Sequence, residues 1–220
     1  MKIEFNAQPS KIVCVGRNYA DHAKELGNEV PTAPMLFLKA PSAIIASGDP
    51  IVIPAQSGQV EHEGELAVVI GSDCKNIRDD EDPFQYVLGY TCLNDVTARD
   101  IQRADVQFTR GKSFDTFCPI GPHIETELDV SDIRVTTEVN GVMMQDARTS
   151  AMVFPVEFLI RYISRQMTLK AGDVIATGTP AGVSKLNAGD LCDVTIEGIG
   201  TLTNGVTSQS ETFVTGGPLN

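Results

Sequence analysis

The chain has 220 residues, of which 29 are acidic and 17 basic, so its formal net charge is −12. A chain of this length supports one domain, which buries about 70% of the surface that the unfolded form exposes. Its 42% hydrophobic and 21% charged residues are ordinary for a globular protein and exclude collagen-like, coiled-coil and fully disordered classes. The negative charge argues against broad binding to nucleic acid or to an anionic membrane, because both attract basic surfaces.

The sequence shows no signal for membrane insertion or export. Its apolar runs are too short for a transmembrane helix, and the first residues, MKIEFNAQPSK, lack the regions of a signal peptide. The five cysteines are scattered and form no Cys-x-x-Cys pair, which is typical of reduced thiols in a cytoplasmic protein. We therefore expect a cytoplasmic protein with a single domain over residues 1–220 and no nucleic-acid or membrane partner.

The first half of the chain alternates short apolar runs with glycine and proline, which is typical of a β-rich fold. Strands are predicted at Lys11–Val15, Met35–Lys39, Ile51–Ile53, Glu61–Ile70 and Gly89–Val96. Short helices are predicted at Tyr19–Leu26, Asp82–Leu88 and Thr97–Val106. Gly27 ends the first helix, and Pro83 lies in the first turn of the second.

The second half contains a hairpin and one long helix. Asn140-Gly141 lies between apolar runs at Ile133–Val139 and Val142–Gln145 and predicts a tight β-hairpin. The apolar spacing within Ser150–Gln166 predicts an amphipathic helix. Further strands are predicted at Asp173–Thr177, Leu191–Ile196 and Thr201–Val206, and a mobile tail after Thr207. The predicted fold class is α+β, with more strand than helix.

Acidic residues lie at the ends of two predicted strands. Glu61, Glu63 and Glu65 alternate, so a strand places them on one face, just before the apolar run LAVVI. A solvated strand edge is one interpretation, but unpaired charge is costly where a strand enters the core. Asp95 ends another apolar strand, where it could cap the following helix. If Asp95 meets Glu63 and Glu65, the three hard oxygen ligands would suit Mg²⁺ or Mn²⁺.

Other candidate residues are a histidine pair and two lysines. His22 and Glu25 are spaced i, i+3 on a predicted helix, so a carboxylate could raise the basicity of the imidazole and help it to activate water. An exposed ion pair is the alternative. Lys39 ends the strand LFLK and Lys112 lies in RGKSFDTFCP, and either could be a surface lysine. The turn in IATGTPAGV exposes a hydroxyl but lacks the ending of a phosphate-binding loop.

The order of these motifs is more specific than any one of them. GRNYADHAKEL is followed by PMLFLK, EHEGELAVVIG, LNDVTARDIQ, GKSFDTFCPIGP, the VNG hairpin and LKAGDVIATGTPAGV. Over residues 11–206 the chain thereby resembles the fumarylacetoacetate hydrolase superfamily. The resemblance is greatest to the small, single-domain branch of acylpyruvate hydrolases, oxaloacetate decarboxylases and 2-hydroxyhepta-2,4-diene-1,7-dioate isomerases. It implies a mixed, rolled β-sheet with few helices and a homodimer.

The resemblance also implies roles for individual residues. By motif match, the metal ligands are Glu63, Glu65 and Asp95, while Glu61 falls outside the ligand set. The implied catalytic residues are His22, Glu25 and Lys112. The implied substrate-binding residues are Arg99, Gln102 and Thr179, together with Arg17, Asn18 and Lys39 at less defined pocket positions.

The implied activity is hydrolysis of a C–C bond in an acylpyruvate-type 1,3-dicarbonyl acid through a metal-bound enolate. The implied cofactor is Mg²⁺, with Mn²⁺ or Ca²⁺ as alternatives, and the substrate is a small keto acid. Decarboxylation and isomerisation share the enolate and stay open, although the His-x-x-Glu pair favours hydrolysis. A non-catalytic β-rich module with a structural Ca²⁺ is the alternative from another class, and a base beside the ion argues against it. No GxGxxG follows the first strand, which disfavours a dinucleotide-dependent oxidoreductase.

Overall fold

The computed structural model describes residues 1–5 and 8–209. The tail predicted to be mobile lies, apart from residues 208 and 209, outside the described residues. The strands of the described part are β1 (Lys2–Glu4), β2 (Ile12–Gly16), β3 (Met35–Lys39), β4 (Ile44–Ile45), β5 (Ile51–Ile53), β6 (Val60–Glu61), β7 (Gly64–Ile70), β8 (Val87–Asn94), β9 (Thr97–Ala98), β10 (Cys118–Glu125), β11 (Arg134–Val139), β12 (Val142–Arg148), β13 (Val174–Ala176), β14 (Leu191–Ile196) and β15 (Gly200–Ser208).

These strands form two mixed sheets and one short ribbon. The larger sheet has the order β1-β10-β8-β7-β13-β2-β3, with β4 paired to β10. The smaller sheet has the order β12-β11-β14-β15-β5, and β6 pairs with β9 in the ribbon. Most pairs are antiparallel, whereas β13 with β2, β15 with β5 and β10 with β4 are parallel. The predicted β-rich α+β class is therefore confirmed.

Helices are few and mostly short: α1 (Ala20–Glu25), α2 (Arg99–Ala104), α3 (Thr109–Lys112) and α4 (Val156–Gln166). The helix predicted from Ser150 begins later because Pro155 disfavours a helical conformation of the residue before it, and Thr149–Ala151 form a separate 3-10 turn. The helix predicted at Asp82–Leu88 is a 3-10 turn at Pro83–Tyr86 that leads into β8. Within residues 1–5 and 8–209, no helix has the length and apolar character needed to cross a membrane.

The central strand β7 is buried along its whole length, which explains its continuous apolar run. On one face, Leu66 and Val68 pack with α4 and the smaller sheet, including Leu159 and Val194. On the other face, Ala67 packs with side chains of β2, β8 and β13. The end of β7 therefore lies in the interior, between two apolar layers.

The predicted single strand Glu61–Ile70 is interrupted, and this expectation was wrong. Glu61 pairs with Thr97 in the ribbon, whereas β7 begins only at Gly64. Between them, His62 is fully buried and the amide of Glu63 donates to Asn94 Oδ1 at 2.9 Å. Because side chains take these ladder positions, Glu61 does not share one strand face with the other two glutamates.

Candidate metal centre and active-site cavity

Three carboxylates meet where β7 and β8 lie side by side. Gly64 pairs with Asn94, so their neighbours Glu63, Glu65 and Asp95 lie close together. Their ligand oxygens lie within 4.8 Å of one another, and all three side chains are buried. Asp95 does not cap the next helix, whose N-cap is Ala98. Three hard oxygens in one buried place fit a divalent cation such as Mg²⁺, and we call these residues the acid cluster.

Basic side chains surround the acid cluster. Lys39 Nζ lies 2.6 Å from Asp95 Oδ1, and Lys112 Nζ lies 2.6 Å from Asp95 Oδ2 and 2.8 Å from Glu63 Oε2. The guanidinium of Arg99 pairs with Glu63. It also pairs with Glu61 at 2.7 Å, although Glu61 belongs to the β6–β9 ribbon and lies outside the acid cluster. When all of these groups are ionised, four carboxylates face three basic side chains, so the group as a whole is negative. A bound divalent cation would make it positive.

The carboxyl groups of the acid cluster differ in acidity. Burial alone would raise the pKa of Glu63, but Lys112 and Arg99 outweigh it and hold that pKa well below its usual value. Burial and the neighbouring charges of Asp95 and Glu63 raise the pKa of Glu65 well above its usual value. Glu65 Oε2 accepts from the amide of Gly178 at 2.7 Å and, within the described residues, forms no ion pair with a basic side chain. Among the three carboxyl groups of the acid cluster, the negative charge of Glu65 is therefore the least compensated by basic side chains.

The acid cluster opens into a cavity of about 310 Å³. Its walls combine the charged residues with apolar side chains from β3, from the end of α1 and from the loop between α2 and α3, namely Met35, Phe37, Leu26 and Phe108. Six further residues predicted for the site also line it: Arg17, His22, Arg99, Gln102, Lys112 and Thr179. A cavity whose walls combine charged and apolar side chains suits a small organic acid.

His22 and Glu25 form the pair expected from their spacing. His22 Nδ1 lies 3.3 Å from Glu25 Oε2, and the imidazole is buried. The carboxylate of Glu25 also accepts from the amide of Gly182, at 3.1 and 3.2 Å. Gly182 has φ +101°, and an added Cβ would lie 1.9 Å from the carbonyl oxygen of Met144. Only glycine fits at this position. Through the amide of Gly182, the turn after the TGTP motif holds Glu25, and with it α1, beside the cavity.

Two predicted substrate-binding residues lie behind the cavity. Lys39 is 1% exposed and donates to the carbonyl of Val96 at 3.1 Å as well as pairing with Asp95. Asn18 is fully buried and donates to the carbonyl of Thr177 at 2.7 Å. Arg17, in contrast, lines the cavity with φ 59°, a left-handed conformation that is unusual for a residue with a side chain.

The sequence analysis missed Asn94 and Gln145, which hold the backbone of the acid cluster. Asn94 precedes Asp95 and accepts from the Glu63 amide. Gln145 lies on β12 and accepts from the amide of Gly64 at 3.0 Å. Asn94 could have been suspected from its place in LNDVTARD, whereas nothing in the spacing around Gln145 indicates a role at a site 81 residues away.

The chain is similar to several known proteins. The family model described as fumarylacetoacetate (FAA) hydrolase C-terminal matches residues 11–207. The chain is 45% identical to oxaloacetate tautomerase YisK of Bacillus subtilis, over 90% of this chain and 70% of that protein. The structure of 5-carboxymethyl-2-hydroxymuconate delta-isomerase from Mycobacterium smegmatis is 49% identical and superposes with a TM-score of 0.87, covering 93% of this chain and 81% of that one.

A second solved structure, 2-hydroxyhepta-2,4-diene-1,7-dioate isomerase from Mycobacterium marinum, is 47% identical. Its TM-score is 0.85, and the match covers 93% of this chain and 77% of that one. The family model, the order of the motifs and the fold thus agree over nearly the whole chain. The chain belongs to the fumarylacetoacetate hydrolase family of enzymes.

Proposed function

We propose that this protein is a divalent-cation-dependent isomerase that moves a proton within a small α-keto acid, as in a keto–enol tautomerisation. The observation that carries the proposal is the single cavity lined by both the acid cluster and His22. Such a reaction needs a group that polarises the keto oxygen and a base that takes and returns a proton, and it needs no water. The relatives named oxaloacetate tautomerase and hydroxyheptadienedioate isomerase support this reaction type.

The residues divide these tasks between them. A cation held by Glu63, Glu65 and Asp95 would polarise the keto oxygen of the substrate. Lys112 supplies positive charge beside it, where negative charge develops on the substrate. Glu25 holds the Nδ1 side of His22, which leaves Nε2 as the basic nitrogen. Arg17, Arg99, Gln102 and Thr179 are the proposed substrate-binding residues, and Lys39 and Asn18 position the walls behind them.

Hydrolysis of an acylpyruvate is the second candidate. The pair of His22 and Glu25, fixed on the amide of Gly182, is also an arrangement that can activate water. Decarboxylation of oxaloacetate needs the cation but no base, so this pair gives it no particular support. We propose Mg²⁺ as the cation because three carboxylates leave positions for water and substrate, with Mn²⁺ and Ca²⁺ as alternatives.

We further propose a cytoplasmic location, a homodimer and a small keto acid as the substrate. All five cysteines are free and buried, which supports the proposed cytoplasmic location. The homodimer stays a prediction of the family resemblance, and light scattering on the purified protein would test it. A small keto acid is the ligand that we propose for the cavity.

The test is a substrate panel with the purified protein, with Mg²⁺ and with EDTA. The panel contains enol-oxaloacetate, a hydroxyheptadienedioate, acetylpyruvate and fumarylpyruvate. The proposal predicts Mg²⁺-dependent conversion of one of the first two, above the spontaneous rate, with a higher kcat/KM than cleavage of either acylpyruvate. Faster acylpyruvate cleavage would establish the hydrolase instead. Mg²⁺ binding without turnover of any compound would favour the non-catalytic module.

A further inference from the structure

The side chain of Gln145 crosses from the smaller sheet to the larger one. It is 1% exposed, and its Oε1 accepts from the amide of Gly64 at 3.0 Å. Its Nε2 donates to the carbonyl of Pro180 at 2.7 Å and to Thr179 Oγ1 at 2.7 Å. A backbone N–H needs an oxygen and a backbone carbonyl needs an N–H, so these two contacts fix which end of the amide is which.

Gly64, which Gln145 holds, is the residue between the two glutamates of the acid cluster. Its amide bonds to Gln145, and its carbonyl accepts from Thr179 Oγ1 at 3.0 Å. An added Cβ at Gly64 would lie 2.1 Å from Thr137 Oγ1, so the backbone passes against the smaller sheet with no room for a side chain. Gln145 and Thr179 together therefore fix the peptide from which Glu63 and Glu65 extend.

The same hydrogen-bond network determines whether the Thr179 hydroxyl acts as a donor or an acceptor toward the cavity. Its hydroxyl receives an N–H from Gln145 and gives its own proton to the carbonyl of Gly64. A hydroxyl has one proton and two lone pairs, so the lone pair that remains is what Thr179 offers to the cavity. His62 extends the network: Nδ1 lies 3.2 Å from Gln145 Oε1, and Nε2 lies 2.8 Å from Ser184 Oγ.

We propose that Gln145 is a positioning residue of the enzyme, an inference that rests on the proposed function. It fixes the glutamates of the acid cluster through Gly64, and it turns the Thr179 hydroxyl so that this group accepts from a ligand. Gln145 is absent from the cavity wall and acts only through these neighbours. Side chains that orient metal ligands in this way typically change metal affinity or activity about 10–100-fold when they are removed.

The test is a titration of the full-length protein with Mn²⁺ by calorimetry. Gln145→Met keeps the length of the side chain and removes its hydrogen bonds, and we expect it to weaken Mn²⁺ binding about 10–100-fold. The matched control is Ser164→Ala. Ser164 is fully buried on α4, accepts from the amide of Ile77 at 3.2 Å and donates to the carbonyl of Arg161 at 2.8 Å, and neither partner belongs to the acid cluster. This variant loses a buried hydrogen bond and should bind Mn²⁺ like the wild type.

Native Mn²⁺ affinity in Gln145→Met, with a melting temperature lowered as in Ser164→Ala, would overturn the inference and leave Gln145 purely structural. If Gln145→Met does not fold, Gln145→Glu keeps the shape and the acceptor for Gly64 while replacing the NH₂ group. We expect that variant to retain Mn²⁺ binding and to raise the KM of the keto acid about tenfold, through Thr179. An unchanged KM would again overturn the inference. Wild-type protein that binds no Mn²⁺ would overturn the proposed function itself.

Discussion

Lys112 places an ammonium group between two carboxylates that would also hold the cation. Burial alone would lower its pKa, but Asp95 and Glu63 raise it above the usual value, so the side chain stays charged. Its Nζ also lies 5.1 Å from the centre of the Phe37 ring. The charge therefore opposes binding of a cation by the acid cluster and favours binding of an anionic ligand beside it.

Lys112→Met should separate these two effects. We expect tighter Mn²⁺ binding, because a repelling charge is removed, and kcat lowered by about 10²-fold or more, because developing negative charge loses its partner. Calorimetry and initial rates measure the two quantities. The control is Lys170→Met, which removes a lysine that pairs with Asp73 at the surface and should change neither. Weaker Mn²⁺ binding with unchanged kcat would contradict this role.

His22→Ala should distinguish reactions that need a base from one that does not. Loss of a general base costs about 10²–10⁴-fold, so proton transfer or acylpyruvate cleavage should fall by that factor. Cation-promoted decarboxylation of oxaloacetate should fall much less. The two rates are measured on the same preparation with saturating Mg²⁺. An equal fall in both would mean that His22 acts in closing the cavity rather than as the base.

Residue roles could be predicted where the partners are local in sequence. His22 and Glu25 lie three residues apart, so their contact follows from helix geometry. Lys39 and Asp95 meet although three strands separate β3 from β8 in the larger sheet, and no pattern within either segment indicates this contact. The isolated sequence therefore left Lys39 as either a surface or a pocket residue.

At the scale of elements, Asp173 joins the starts of two parallel strands. Its Oδ1 accepts from the amide and hydroxyl of Ser10, at 2.9 and 2.7 Å, just before β2. Its Oδ2 accepts from the amide of Lys170 at 2.8 Å and from Lys11 Nζ. Burial would raise the pKa of this carboxyl, but the hydrogen bonds from Lys11, Lys170 and Ser10 outweigh burial and lower it.

Asp173→Asn should lower the free energy of unfolding by about 2–4 kcal/mol at neutral pH, because an NH₂ group would face two donors. Since the folded carboxyl has the lower pKa, its stabilisation is complete above the unfolded pKa of about 3.9 and is lost as the pH falls through the folded value. Urea unfolding at pH 7 and pH 3 measures the free energy of unfolding. The difference in this free energy between wild type and Asp173→Asn should be smaller at pH 3 than at pH 7. The exposed Asp73→Asn should have a much smaller effect, and a gap independent of pH would contradict the role.

The segment of α1 should be the element that responds to ligands. Ala20–Glu25 is far shorter than a helix that is stable alone, and its N-cap residue, Tyr19, forms no side-chain capping hydrogen bond. Its position depends on contacts such as Glu25 with Gly182. We expect Mg²⁺ with oxalate to slow hydrogen exchange in residues 19–27 more than in α4, which packs in the core. Equal protection with and without ligand would count against closure by α1.

Element boundaries were predictable where hydrophobic pattern alone decides them. Met35–Lys39 and Leu191–Ile196 have the predicted limits because apolar runs there end at turn residues. At the break between Glu61 and Gly64, the amides of Glu63 and Gly64 donate to the side chains of Asn94 and Gln145, which lie on distant segments. The alternation of glutamates indicates none of these contacts and therefore predicted a continuous strand. Local pattern fails where side chains from other elements replace ladder hydrogen bonds.

At the scale of the whole molecule, the acid cluster lies at the start of β7, a strand that packs between two apolar clusters. The whole chain has a net charge of −12. The fold class and the family could be predicted because both depend on motif order along the chain. The strand order could not, since β13 lies between β7 and β2 from the opposite end of the sequence. This order brings the Gly178 turn to Glu65 and so completes the site.

Cation binding should therefore stabilise the entire domain. A ligand at 100 times its Kd adds about 2.7 kcal/mol to the free energy of unfolding, which for a chain of this size raises Tm by roughly 5–11 °C. Calorimetric scans with Mn²⁺, and after EDTA, measure the shift and its reversal. An acidic surface also attracts cations weakly, so Glu65→Gln is the control: it removes one ligand of the acid cluster and leaves the surface unchanged. The shift should disappear in Glu65→Gln, and a shift that persisted there would locate the stabilising ion outside the acid cluster.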